Sequence, residues 1–174
     1  NRKHYEEITS LGSVEDCEPV WRLVLKHAKI LEVCDEENLS LIESFILTGL
    51  KWDFFCEAEG QYGKVDLLPP EKKFDIINSD PKYRILGYID KICLYPEEGI
   101  VRIVDYKTSK SKFSGEDKDF NIQALLYSVT AKKLFEKDGY NKVICEFLFL
   151  KFPRKPVVTC VFSDEQLRGF EAYL

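Results

Sequence analysis

The sequence predicts an α/β fold of the α+β kind, with a mixed central β-sheet of about five strands flanked by helices. Three observations carry that expectation. Helical and strand periodicities succeed one another as two helices, three strands, one helix, two strands and one helix. Residues 87–110, "GYIDKICLYPEEGIVRIVDYKTSK", read as two strands joined by a tight turn. A helix-length segment then separates that pair from the next strand run, as a right-handed crossover requires.

Residues 19–34 place Val20, Val24, His27, Leu31 and Cys34 at helical intervals, which turns His27 inward with that stripe. Asn38 or Ser40 is expected to cap a second helix ending near Gly49. "KWDFFCEAEGQYG" reads as a strand running into a turn, and 64–83, with its prolines and charges, as a long excursion. After the hairpin, "SKSKFSGEDKD" is a polar loop. A helix over 119–137 follows, carrying Leu125, Val129, Leu134 and Phe135 mostly on one side. "KVICEFLFLKF" and "PVVTCVF" are two more strands joined at "PRKP", and Ser163 with Gln166 three residues on forms a capping box for the last helix.

With 174 residues and 45% apolar content, the chain is expected to form one domain over 1–174, its N-terminal helices at 19–50 and its core at about 51–174. It starts at Asn1, contains no methionine and stops inside an apparent helix, so a piece of a longer chain is one expectation. No apolar run reaches the roughly 20 residues of a membrane span, and "NRKHYEEITS" has no apolar signal core. The cytoplasm is the expected compartment. There the six scattered cysteines need no disulfides and, without a CxxC pair, read as structural thiols. A net charge of −5 argues against a general nucleic-acid coat protein but leaves room for a local site. Lys107, Lys110 and Lys112 form one basic run and Lys151, Arg154 and Lys155 a second; taken alone, each reads as a solvated loop.

Pairing Tyr95 with Ile100 closes a "PEEG" loop and sets the register outward: Leu94 meets Val101, Ile92 meets Ile103, and Asp90 meets Asp105. Two opposed carboxylates, with Cβ atoms about 5 Å apart, are an arrangement that sheets disfavour. Lys107 lies on the same face, two residues along. One lysine could neutralise one carboxylate and leave a solvated edge. Yet both aspartates sit in apolar strand sequence, where uncompensated charge costs several kcal/mol. A divalent cation such as Mg²⁺ or Mn²⁺ held between them resolves the repulsion, and such ions commonly work with phosphate substrates.

"GYID", then "VDYKTSK", then a helix carrying "QALLY" resembles the RecB-like exonuclease branch of the PD-(D/E)XK nuclease superfamily, specifically over about residues 85–130. The resemblance implies a restriction-endonuclease-like core and metal-assisted phosphodiester hydrolysis, with Asp90 and Asp105 as metal ligands joined by the backbone carbonyl of Tyr106. It implies Lys107 as the catalytic lysine, Gln123 and Tyr127 as the helix motif that binds the strand or braces the lysine, and Lys110 and Lys112 as substrate-binding support. It further implies a histidine ligand on an N-terminal helix, for which His27 is the candidate; Glu43 is the fallback, and Glu57 and Glu59 could approach the site. The implied activity is a DNA exonuclease of recombination, repair or phage-type DNA processing, acting with Mg²⁺ or Mn²⁺ on DNA ends or single strands. Nothing in the cysteine spacing matches the iron–sulfur cluster of some relatives. The rival expectations are an idle nucleic-acid-binding module and the nuclease part of a helicase–nuclease complex; no membrane partner is expected.

Overall fold

The computed structural model describes residues 2–57, 63–80 and 82–174. The chain divides into two compact units, one running through Phe54 and taking in Leu150–Pro156, the other made of Phe55–Phe149 with Val157–Leu174.

The first unit holds helices α1 (Arg2–Leu11), α2 (Glu18–Ile30) and α3 (Glu36–Lys51). Its core joins Ile8, Val14, Cys17 and Leu50, with Trp21, Val24 and Ile46 packed against them. Residues 2–11 were not expected to be helical. On α2 the inward stripe is Trp21, Val24 and Ala28, so His27 is exposed, contrary to the stripe expected from the sequence. The small Ala28 is the buried neighbour that a reading weighted toward large side chains passes over. Helix α3 is capped three residues before Asn38, the nearer of the two expected caps: the Asp35 carboxylate accepts the Asn38 backbone N–H at 2.9 Å. It also runs past Gly49, where a Cβ would stand 3.5 Å from Leu150 Cδ2, so this glycine serves close packing and not a stop.

The second unit contains β1 (Asp66–Leu67), β2 (Lys72–Ser79), β3 (Lys82–Ile89), β4 (Lys91–Tyr95), β5 (Ile100–Lys107), β6 (Lys142–Phe149) and β7 (Val157–Cys160). Its helices are α4 (Glu116–Asp119), α5 (Ile122–Phe135) and α6 (Asp164–Tyr173). Five strands form a mixed sheet in the order β1-β4-β5-β6-β7, antiparallel except for the parallel β5–β6 pair. This is the mixed, helix-flanked α+β sheet that the sequence predicts. Helix α5 lies on it with nearly every side from Ala124 to Ala131 buried. The Asn121 side chain caps it by accepting Ala124 N–H at 3.0 Å, and the capping box of Ser163 and Gln166 is present at α6.

Two expectations fail here. Residues 51–57 form the end of α3 and a turn, with Asp53 and Cys56 at φ of 48° and 56°, and not a strand. The "excursion" holds β1 and β2, and β2 pairs with β3 over eight residues in a separate antiparallel ribbon. Only Phe74 of β2 is buried, so the strand's polar alternation resembles loop composition. Phe74 lies opposite Gly87, where a Cβ would meet its ring at 2.8 Å. Tyr83 of β3 bonds Glu171 of α6, and Lys133 of α5 pairs with the same carboxylate at 2.9 Å, fastening the ribbon to the helices.

The cysteines also depart from expectation, because Cys56 and Cys93 form a disulfide beside Tyr95, Ile100 and Ile144. Their separation of 37 residues gives no local cue; the fold brings them together. Burial pushes the free thiol of Cys145 up to about 12, leaving it protonated and inert. No helix among the described residues is long and apolar enough to cross a membrane.

Candidate active site

The β4–β5 register is the one read from the sequence, from Tyr95↔Ile100 through Ile92↔Ile103 to Lys91↔Val104. The ladder stops there. Asp90 therefore stands at the bend between β3 and β4 and not inside a strand. Its carboxylate continues the contact by other means: Oδ2 accepts the Tyr106 backbone N–H at 2.9 Å, next to Asp105. Oδ1 makes no hydrogen bond among the described residues. Ile92, Val101 and Ile103 around the hairpin are 0% exposed, and burial of side chains this size stabilises by about 1.5–3 kcal/mol each. That apolar wall is what can hold charge out of water.

Asp105 is only 4% exposed, and among the described residues hydrogen bonds reach Oδ1 alone, so that the buried Oδ2 accepts none. Oδ1 accepts from Gln123 Nε2 at 2.9 Å and from the Tyr127 hydroxyl at 2.8 Å. Oδ2 is ion-paired with Lys107 Nζ at 2.7 Å, two residues along the same strand face. Gln123 closes the network by accepting from Lys107 Nζ at 2.7 Å through Oε1, while its Nε2 also donates to the Tyr127 hydroxyl at 2.8 Å. Gln123 and Tyr127 are one helical turn apart, so α5 presents both to the same carboxylate. Parallel pairing sets Asp105 beside Phe147, and the Lys107 ammonium lies 5.3 Å from that ring's centroid.

The electrostatics are those of excess negative charge. Burial raises the Asp90 carboxyl above its ordinary value; the Tyr106 N–H lowers it, the Asp105 charge raises it, Lys107 lowers it and Glu71 raises it. Burial, then the charge of Asp105, pushes the Tyr127 phenol well above its ordinary value, so it remains a donor. Two carboxylates face one ammonium, with Glu71 adding to the surplus. The donor set is all oxygen, one partly hydrated carboxylate and one buried, which fits a hard divalent cation.

The structure brings together Asp90, Asp105, Lys107, Gln123 and Tyr127. Lys110 is exposed and Lys112 half-buried on the loop after β5, whose Phe113 packs edge-on against Phe147 at 4.9 Å. Glu43 Oε1 accepts from Ser13 Oγ, Val14 N–H and Glu15 N–H at 3.1, 2.7 and 3.2 Å, so this carboxylate holds the turn before α2. Glu57 is exposed, and Glu59 lies outside the described residues. Sequence reasoning missed Glu71, whose backbone N–H donates to the Asp90 carbonyl at 3.0 Å, because it falls in the supposed excursion. It also missed Phe147, whose position depends on a parallel register that no short-range pattern specifies.

A sequence model described as the PD-(D/E)XK nuclease superfamily matches residues 18–173. No curated protein matches the chain. Among solved structures, the crystal structure of SSO0001 is 14% identical and covers 98% of this chain and 81% of its own, at a TM-score of 0.32. A similarity that low carries no argument about activity.

Proposed function

This chain belongs to the PD-(D/E)XK nuclease superfamily, and on that premise we propose that it is a Mg²⁺- or Mn²⁺-dependent DNA exonuclease of the RecB-like type, serving recombination, repair or phage-type DNA processing. Superfamily membership supports nuclease chemistry on a nucleic acid. The single observation that carries the metal-dependent reading is the pairing of a buried Asp105 with a second carboxylate whose proton affinity burial, and then the Asp105 charge, raises, beside one lysine.

Asp90, Asp105 and the Tyr106 carbonyl are the proposed ligands of the ion. The chemistry supplied by a bound divalent ion is polarisation of a phosphoryl oxygen and acidification of a water. Lys107 holds its ammonium where it can offset charge developing on the phosphate, or hold the attacking water. Gln123 fixes that ammonium through Oε1 and the Asp105 carboxylate through Nε2, so one amide sets the spacing of base and acid groups. Tyr127 donates to Asp105 and orients it. Lys110 and Lys112 are proposed to meet the phosphate backbone, DNA ends or single strands being the substrate.

The test is cleavage of linear and closed circular DNA with Mg²⁺ or Mn²⁺ and with a chelator. Degradation of linear DNA alone, abolished by chelation, is expected. Nicking of the circle would make the enzyme an endonuclease, and binding without cleavage in any metal would make it an idle module.

A further inference from the structure

Outside the nuclease residues, three side chains of the first unit converge with metal-ligand chemistry. His4 and Glu7 lie one turn apart on α1, and Cys17 stands at the N-cap of α2. Cys17 Sγ lies 3.4 Å from Glu7 Oε2 and 3.8 Å from His4 Nδ1, and His4 Nδ1 lies 3.7 Å from Glu7 Oε2. Donors around tetrahedral zinc, with bonds of about 2.0–2.3 Å, stand ~3.3–3.6 Å from one another. The observed triangle is already near that size.

Ordinary contacts explain only part of it. A thiol donating to a carboxylate accounts for the Cys17–Glu7 edge, and an i,i+3 pair accounts for His4–Glu7. Neither requires the imidazole nitrogen to turn toward the sulfur and close the third edge. Access is graded as well: Cys17 is 0% exposed, while the side chains of His4 and Glu7 are 30% and 38% exposed. The sulfur forms the floor and the other two donors a partly exposed rim. The connecting turn is held by Glu43, whose carboxylate accepts the backbone N–H groups of Val14 and Glu15. The three donors therefore rest on a fixed frame and need little ordering to bind an ion.

We propose that His4, Glu7 and Cys17 form a mononuclear zinc site that clips α1 to the start of α2. Binding replaces the Cys17 S–H bond with a sulfur–zinc bond and releases one proton to solvent, with no change of oxidation state. Thiolate and imidazole favour zinc over the hard ions suited to the Asp90 and Asp105 carboxylates. The two sites are thus separable by metal.

The test uses the full chain carrying Asp105→Asn and Cys34→Ser, which removes the nuclease carboxylate and the exposed thiol from consideration. After stripping with chelator, one equivalent of Zn²⁺ should bind and raise the melting temperature. Co²⁺ in its place should give a sulfur-to-cobalt charge-transfer absorption. Adding Cys17→Ser should abolish that absorption, and His4→Gln or Glu7→Gln, both at the partly exposed rim, should weaken zinc by about tenfold or more. The site is overturned by absence of the absorption in the cobalt form, or by zinc affinity unchanged in folded His4→Gln and Glu7→Gln proteins. Failure here leaves DNA cleavage untouched, and failure of cleavage leaves this site untouched.

Discussion

The two faces of β5 carry the same kinds of residue to opposite ends. On one, Arg102, 8% exposed, meets Glu146 of β6 through Nε at 2.8 Å and a second guanidinium nitrogen at 2.7 Å. The same guanidinium donates to the Tyr95 hydroxyl at 3.3 Å, which donates to the Cys56 carbonyl at 2.6 Å. Among the described residues that cation meets one anion. On the other face Asp105 and Asp90 confront one lysine, and burial, with the Asp105 charge adding to it, raises the Asp90 carboxyl. Buried ions are therefore not in themselves a sign of chemistry. An imbalance that only a further cation would cure is such a sign.

Substitutions should separate the faces, and the largest effects come first. Lys107→Ala should lower the cleavage rate of the folded protein by about 10²–10³, or ~3–4 kcal/mol in the barrier, and should also lower the denaturant midpoint, because the buried Asp105 loses its ammonium. Glu146→Ala should lower stability alone. Leaving Arg102 buried without its carboxylate costs about 3 kcal/mol of stability by denaturant titration, while the cleavage rate of the folded fraction stays put. Loss of cleavage without loss of stability in Glu146→Ala would erase the distinction between the faces.

The Arg102 face also holds the Cys56–Cys93 disulfide. Cys93→Ser should lower stability by about 4 kcal/mol, as expected for a closed loop of that length, and an unchanged midpoint under reducing and oxidising conditions would count against it.

Asp90→Asn should have the smallest effect on folding and the opposite sign. A carboxyl raised in the folded state supports the fold at low pH. That support is lost as pH climbs from the ordinary carboxylate range through the raised value. Without metal, Asp90→Asn should therefore be more stable near pH 7 by about 1 kcal/mol or less, given partial solvent screening, and should lose that slope between acid and neutral pH. An equal or lower stability would show that the folded state does not disfavour the Asp90 carboxylate.

What the sequence made legible follows from range. The β4–β5 register could be read because a hairpin needs only a turn and alternation, and Gln123 with Tyr127 because four residues make one helical turn. Asp90 was placed in the right company but on the wrong kind of backbone, since the ladder ends at Lys91 and a side chain takes over its hydrogen bond to Tyr106. The β2–β3 ribbon was lost to its polar alternation, and the Asp35 cap to a choice among neighbouring polar residues. His27 was misplaced because Ala28 is the buried one, and the disulfide because it joins residues that only the folded sheet brings near.

The central claim is that Asp90 and Asp105 share one divalent ion beside Lys107. Calorimetric titration with Mn²⁺ of the unsubstituted protein, Asp90→Asn and Asp105→Asn tests it most directly. Binding should be present in the first and lost in both variants while each stays folded; Mn²⁺ affinity that survives either substitution unchanged would contradict it.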